Sequence, residues 1–219
     1  MDKNQIKETI ARRIARELQD GNLVNLGIGL PTLVANYIPS NISIIFHSEN
    51  GCLGMGPLPA PDQIDPDMIN AGGGFITVQP FASFFDSAYS FGIIRGKHLD
   101  VTVLGGLQVD EEGNLANWMV PGKIVPGMGG AMDLVTGSKR VIVGMEHCDK
   151  NGNSKILKKC TLPLTGVHCV DTIVTEMAVI KVTENNLILM EHHRDYSVDE
   201  IIQKTACSLT IDADIKTFE

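Results

Sequence analysis

A carboxylate at the end of an apolar strand, followed by asparagine and glycine, can project into a cleft lined by backbone, and Ser48-Glu49-Asn50-Gly51 has that form. An ordinary glutamate is ionised at neutral pH and attacks without a general base. Taken alone, a glutamate at a strand end is more often a solvated side chain or a helix cap. Ser48 lacks the G-x-S-x-G turn of a serine nucleophile. The glycine runs beginning at Gly27 and Gly127 miss the dinucleotide fingerprint G-x-G-x-x-G, with Thr32 and Met132 where the third glycine belongs, and no G-x-x-x-x-G-K-[ST] loop occurs. Glycine-rich turns still let backbone N–H groups approach an anion or oxyanion. The segment Gly127-Met128-Gly129-Gly130-Ala131-Met132-Asp133-Leu134 is the densest, and it also reads as a tight turn under a helix. His147-Cys148, His168-Cys169 and His192-His193 raise the question of a metal, but adjacent side chains diverge and no pair has the spacing of two ligands on one turn. No metal is expected.

These residues need elements to position them. Ile6, Ile10, Ile14 and Leu18 recur every four residues, which predicts an opening helix that stops before Asp20-Gly21. Leu23–Leu26 reads as a strand, Pro31 to about Ile38 as a helix, and Ile42–Phe46 as a strand covered on both faces. The stretch 54–74, with four prolines and three consecutive glycines, predicts a long irregular loop, and such loops usually lie beside a site. Further on, Phe84–Arg95 reads as a helix, Leu99–Leu104 and Arg140–Met145 as strands, Ala178–Val182 with Leu187–Met190 as a hairpin, and Val198–Thr205 as a last helix. The alternation predicts a layered open α/β sheet, mostly parallel, with antiparallel pairing near the C-terminus and helices on both faces, in a single domain over residues 1–219. Ligands of such sheets bind outside the carboxyl ends of strands, so the turns after Leu26 and Phe46 are where a site belongs.

Hydrophobic residues at 43% and charged residues at 20% are ordinary for globular proteins. The longest apolar runs fall far short of the roughly 20 residues that cross a bilayer, and the first residues mix charges without an apolar core, so a cytoplasmic protein away from membranes is expected. Five cysteines without a Cys-x-x-Cys spacing give no disulfide framework. A net charge of −8 opposes nucleic acid, and the basic cluster Lys155, Lys158 and Lys159 reads as a solvated face.

Several runs resemble one family. Asn25-Leu26-Gly27-Ile28-Gly29-Leu30-Pro31-Thr32, Ser48-Glu49-Asn50-Gly51, Ile94-Arg95-Gly96, Leu115-Ala116-Asn117-Trp118, Pro121-Gly122-Lys123, Gly127 through Leu134 and Lys159-Cys160-Thr161-Leu162-Pro163-Leu164-Thr165 are similar to the β-subunit of 3-oxoacid coenzyme A transferases, class I, most of all to that of the acetate/butyrate–acetoacetate CoA-transferases. The resemblance implies a ping-pong transfer in which Glu49 attacks an acyl-CoA thioester and passes through a glutamyl-CoA thioester. No permanently bound cofactor is implied, since coenzyme A is substrate and covalent intermediate. The resemblance also implies an oxyanion donor at the Gly130 N–H, with Gly129 beside it, and a second donor from an α-subunit in an αβ or α2β2 assembly. Asn50 is left between holding Glu49 or CoA and merely forming the turn. Where relatives using succinyl-CoA often read Ala-Gly-Lys-Glu, this chain has Ala71-Gly72-Gly73-Gly74, so a partner for a distal carboxylate is missing and acetyl-CoA or butyryl-CoA with acetoacetate is the expected substrate set.

Overall fold

In a computed structural model that describes residues 1–122, 127–184 and 186–219, Asp2 caps the first helix α1 (Lys3–Ala15), its carboxylate accepting from Asn4 and Gln5 N–H while the Gln5 side chain returns to the Asp2 N–H. That reciprocal cap satisfies donors the helix cannot, and the four-residue apolar repeat buries Ile10 and Ile14 completely. Strand β1 (Leu23–Leu26) follows as expected. Residues Leu30–Tyr37 are helical, but wound as the tighter 3₁₀ form, after Gly29 at φ 86°.

Strand β2 (Ile45–Ser48) begins later than its apolar run. Its partner β1 starts at Leu23, paired with Ile45, so Ile42–Ile44 lie before the ladder, with Ser43 bonded instead to Gly21 N–H and the Asp20 carboxylate. Nor is it covered on both faces throughout, because Ile45 is 47% exposed. The chain then reverses into β3 (Cys52–Met55) and β4 (Val78–Phe84), which leaves Glu49, Asn50 and Gly51 as the tip of a hairpin between paired Ser48 and Cys52. Phe84 therefore ends a strand and does not begin a helix. Helix α2 (Ser87–Arg95) starts only after Asp86, whose carboxylate accepts from the Tyr89 N–H at 2.8 Å.

The remainder is β5 (Val101–Gly105), β6 (Gln108–Asp110), β7 (Leu115–Ala116), α3 (Ala131–Gly137), β8 (Arg140–Gly144), β9 (Ile156–Leu157), β10 (Thr172–Val174), β11 (Ala178–Val182), β12 (Leu187–His193), α4 (Val198–Lys204) and β13 (Leu209–Phe218). One sheet runs β13-β12-β11-β10-β8-β5-β1-β2-β3-β4 and a small one β7-β6-β9. The block β10-β8-β5-β1-β2 is parallel. The expected C-terminal hairpin β11–β12 is antiparallel, β13 adds in parallel, and the β2-β3-β4 edge is antiparallel as well.

Alternation along the central strands divides the core between the two faces. Val103, Ile142 and Val174 pack with Ile10 and Ile14 of α1, while Leu104, Val141, Val143 and Ile173 pack with Ile94 of α2, Leu134 of α3 and Ile201 of α4. Helices thus cover both faces. Among the described residues no helix is long and apolar enough to cross a membrane.

Candidate active site

The parallel register sets Asn25 of β1 against His47 of β2, and Glu49 stands two residues further on at the hairpin tip. Asn25 is completely buried, and its Nδ2 donates to Glu49 Oε2 at 3.0 Å. Among the described residues Glu49 Oε1 has no hydrogen-bond partner. A half-buried carboxylate with one oxygen held and the other open can meet an electrophile in a fixed orientation.

Both strand ends open on one cavity of about 390 Å³, with Leu26, Ile28 and Gly29 from the first turn and Ser48 and Glu49 from the second in its wall. The long loop lies against it, contributing Gly56, Pro57, Leu58, Asn70, Ala71, Gly72 and Gly74. Two polar contacts pin that loop to the hairpin: Ser48 Oγ accepts from the Ala71 N–H at 3.0 Å, and Asn50 Nδ2 donates to the Ile69 carbonyl at 2.7 Å. Asn50 thus reaches the loop, and the residue that holds Glu49 is Asn25. Its signal in the sequence is a lone polar residue inside the apolar strand Leu23–Leu26.

Gly130 comes to the same place. A Cβ on it would stand in ordinary contact 3.5 Å from Glu49 Cγ and more tightly, 3.2 Å, from Phe91 Cζ, so the turn before α3 lies against the Glu49 side chain. Among the described residues no acceptor takes the Gly130 N–H. Gly129 is exposed at φ 52° and makes the turn. Lys123 of the Pro121-Gly122-Lys123 run lies outside the described residues.

The paired histidines and cysteines serve elsewhere. His147 is enclosed between Thr175 Oγ1 at 3.1 Å and Thr205 Oγ1 at 3.0 Å, and all five cysteines are free thiols. Lys158 and Lys159 are exposed, whereas Lys155 is half-buried, its ammonium pKa lowered by burial against the attraction of Glu146 and Glu176.

Burial holds both His47 and His147 at pKa about 4. The unfolded imidazole titrates near ~6.5, so between that pH and about 4 the unfolded chain binds protons that the fold excludes. Stability is complete above about pH 6.5 and falls on acidification, each histidine contributing on the order of 3 kcal/mol across the window. Glu176, its pKa raised by burial, binds its proton first in the fold and offsets part of the loss. Urea midpoints measured from pH 7 to 4.5 are expected to fall steadily, and replacing His147 by Gln is expected to flatten the fall.

An open α/β sheet whose central strand ends share an apolar cavity with a positioned carboxylate is the architecture of an enzyme that holds its ligand at those ends. The profile of the family described as Coenzyme A transferase matches residues 7–204, and the chain belongs to that family. It is 56% identical over 96% of its length to the beta subunit of an acetate CoA-transferase of Escherichia coli, covering 96% of that protein. It is 52% identical over 94% of its length to one subunit of a succinyl-CoA:3-ketoacid coenzyme A transferase of Helicobacter pylori, covering 99% of it. The crystal structure of an acyl-CoA transferase from Escherichia coli O157:H7 shares the fold, with a TM-score of 0.77 at 21% identity over 98% of this chain and 43% of that one. The chain is that of a CoA-transferase.

Proposed function

We propose that this chain, as one transferase unit over residues 1–219, is the catalytic β-subunit of a short-chain 3-oxoacid CoA-transferase and that Glu49 is its nucleophile. The observation that carries the reading is the Glu49 carboxylate, held on one oxygen by Asn25, in the cavity wall beside Gly130. Oε1 attacks the acyl-CoA carbonyl, and the tetrahedral oxyanion takes the Gly130 N–H. Collapse breaks the C–S bond and leaves an acyl-glutamyl anhydride and CoA thiolate. The thiolate attacks the glutamyl carbonyl, expels the first carboxylate and forms the glutamyl-CoA thioester. A second carboxylate attacks that thioester carbonyl, re-forming an anhydride, and the released thiolate attacks its acyl carbonyl, freeing Glu49 and the new acyl-CoA. Because the nucleophile is weak, rate comes from position, with effective concentrations on the order of 10⁵ to 10⁸ M, and from keeping water off the anhydride.

The cavity wall supports a short apolar acyl group. Leu26, Ile28, Leu33, Met55 and Phe75 line it, Glu49 is the charged side chain among the described lining residues, and Ala71, Gly72 and Gly74 stand in the wall without a cation. With its α-subunit, the enzyme is expected to use acetyl-CoA or butyryl-CoA with acetoacetate at least about tenfold better in kcat/KM than succinyl-CoA, since an unpaired distal carboxylate in an apolar cleft costs more than about 1.4 kcal/mol. A preference for succinyl-CoA contradicts this substrate set.

An α-subunit partner is supported by the names of the relatives, which call them beta subunits, and the proposed assembly is αβ or α2β2. The outer edge of β4 supports it too. That uncharged strand leaves Phe84 60% exposed and Phe81 wholly exposed at φ 70°, with Tyr89 65% exposed nearby, an apolar edge that a lone protein usually blunts with charge. The proposed setting is cytoplasmic acetoacetate and short-chain fatty acid metabolism, with no nucleic acid or membrane partner.

A further inference from the structure

Asn25 can hold Glu49 only if its amide is turned with the NH2 toward the carboxylate, and the geometry around it is not symmetric. Nδ2 lies within reach of three acceptors, Glu49 Oε2 at 3.0 Å, His47 Nδ1 at 3.2 Å and the His47 carbonyl at 3.3 Å, while Oδ1 is buried with no partner among the described residues. An unpaired buried carbonyl costs roughly 1–3 kcal/mol, and of the three groups facing the amide only His47 Nδ1, protonated in the other tautomer, could relieve it by turning the amide over. Turned over, it would present a carbonyl to Glu49 and repel it.

We propose that His47 is a positioning residue for the transferase reaction: as the Nε2–H tautomer anchored on Ser90, it accepts from Asn25 and locks the amide with its NH2 facing Glu49. The inference rests on the reading of Glu49 as nucleophile. Ser90 Oγ stands 2.9 Å from His47 Nε2, and an Nε2–H donated there leaves Nδ1 with a lone pair. The opposite tautomer would set an N–H against the Asn25 NH2. Three elements fix the chain: β1 carries Asn25, the paired position on β2 carries His47, and α2, begun by the Asp86 cap, carries Ser90 one turn in, its N–H bonded to the Asp86 carbonyl at 3.0 Å. All three side chains are sealed from solvent, at 0%, 1% and 0% exposure, and Phe85 stacks on the imidazole with ring centroids 6.4 Å apart. Burial also keeps the ring neutral at neutral pH. Water therefore does not substitute for a lost partner.

The test uses the complex with its α-subunit. His47→Leu is expected to lower kcat about 10- to 100-fold with KM for acyl-CoA nearly unchanged, because a mis-aimed carboxylate still binds substrate. His47→Gln, which keeps an acceptor and a donor, is expected to recover kcat to within about threefold, and Ser90→Ala to fall between. Should His47→Leu fail to fold, Ser90→Ala and the ¹⁵N spectrum of His47 in the native complex still decide, the Nε2–H form being expected. Unchanged kcat in His47→Leu or Ser90→Ala, a His47→Gln no better than His47→Leu, or an Nδ1–H tautomer would overturn the inference. Glu49→Ala run in parallel separates the two levels. If it retains exchange, the nucleophile assignment fails, whereas an inactive Glu49→Ala beside a fully active His47→Leu removes only the role of His47.

Discussion

Glu49→Ala is expected to abolish CoA exchange, with kcat/KM falling at least about 10⁴-fold, while the protein folds and pairs with its α-subunit normally. The side chain is half-buried at a hairpin tip, and its one hydrogen bond among the described residues is to Asn25, so removing it opens the cavity and empties no core. The loss is large because the carboxylate is a reactant. Without it no anhydride and no enzyme-bound thioester forms, and water in the cavity cannot conserve the acyl energy. Glu49→Asp is expected to be intermediate, down about 10² to 10³-fold, since the carboxylate remains but withdraws by one methylene from both Asn25 and the substrate carbonyl. Steady-state exchange between acetyl-CoA and acetoacetate measures both.

Gly51→Ala is expected to be nearly as damaging, for a different reason. Gly51 closes the three-residue tip at φ 124°, its N–H bonded to the Ser48 carbonyl at 3.0 Å and its carbonyl accepting from Phe85 at 3.0 Å. A Cβ there would stand 1.9 Å from the Phe85 carbonyl oxygen, which is backbone and cannot swing away. The tip must reopen, carrying Glu49 with it. The combined backbone strain and displacement are expected to cost at least about 2–3 kcal/mol, read as a lower urea midpoint, and a shift of about 1 Å in the carboxylate to cost on the order of 10²-fold in kcat. Full activity with undiminished stability would show that the tip does not fix Glu49.

The same tip shows where sequence reasoning succeeds and stops. Leu23–Leu26 is legible because a short apolar run lies between two turn glycines. The rule that α/β sheets bind ligands at strand ends leads to both turns that meet in the cavity. Asn50-Gly51 is a hairpin signal, yet the prolines that follow draw the reading toward irregular loop, and the β2–β3 reversal goes unread. The alternation of Leu209, Ile211, Ala213 and Ile215 with polar residues is likewise a strand pattern in plain view, beyond the last expected helix. The partners of Glu49 are harder. Asn25 lies 24 residues before it and Gly130 much further after, and only strand register and the turn before α3 bring them together. His47 and Ser90 look unremarkable in one dimension and become a hydrogen-bonded chain only when the fold brings Ser90 of α2 within 2.9 Å of His47 on β2.

Glu49, as the proposed nucleophile, is expected to carry the CoA during turnover. Incubating the two-subunit enzyme with acetoacetyl-CoA in the absence of an acceptor acid, digesting it and mapping the peptides by mass spectrometry tests this directly. A CoA adduct is expected on the peptide containing Glu49, lost on adding acetate and absent from Glu49→Ala. A competent enzyme that bears no adduct, or bears it on another residue, contradicts that expectation.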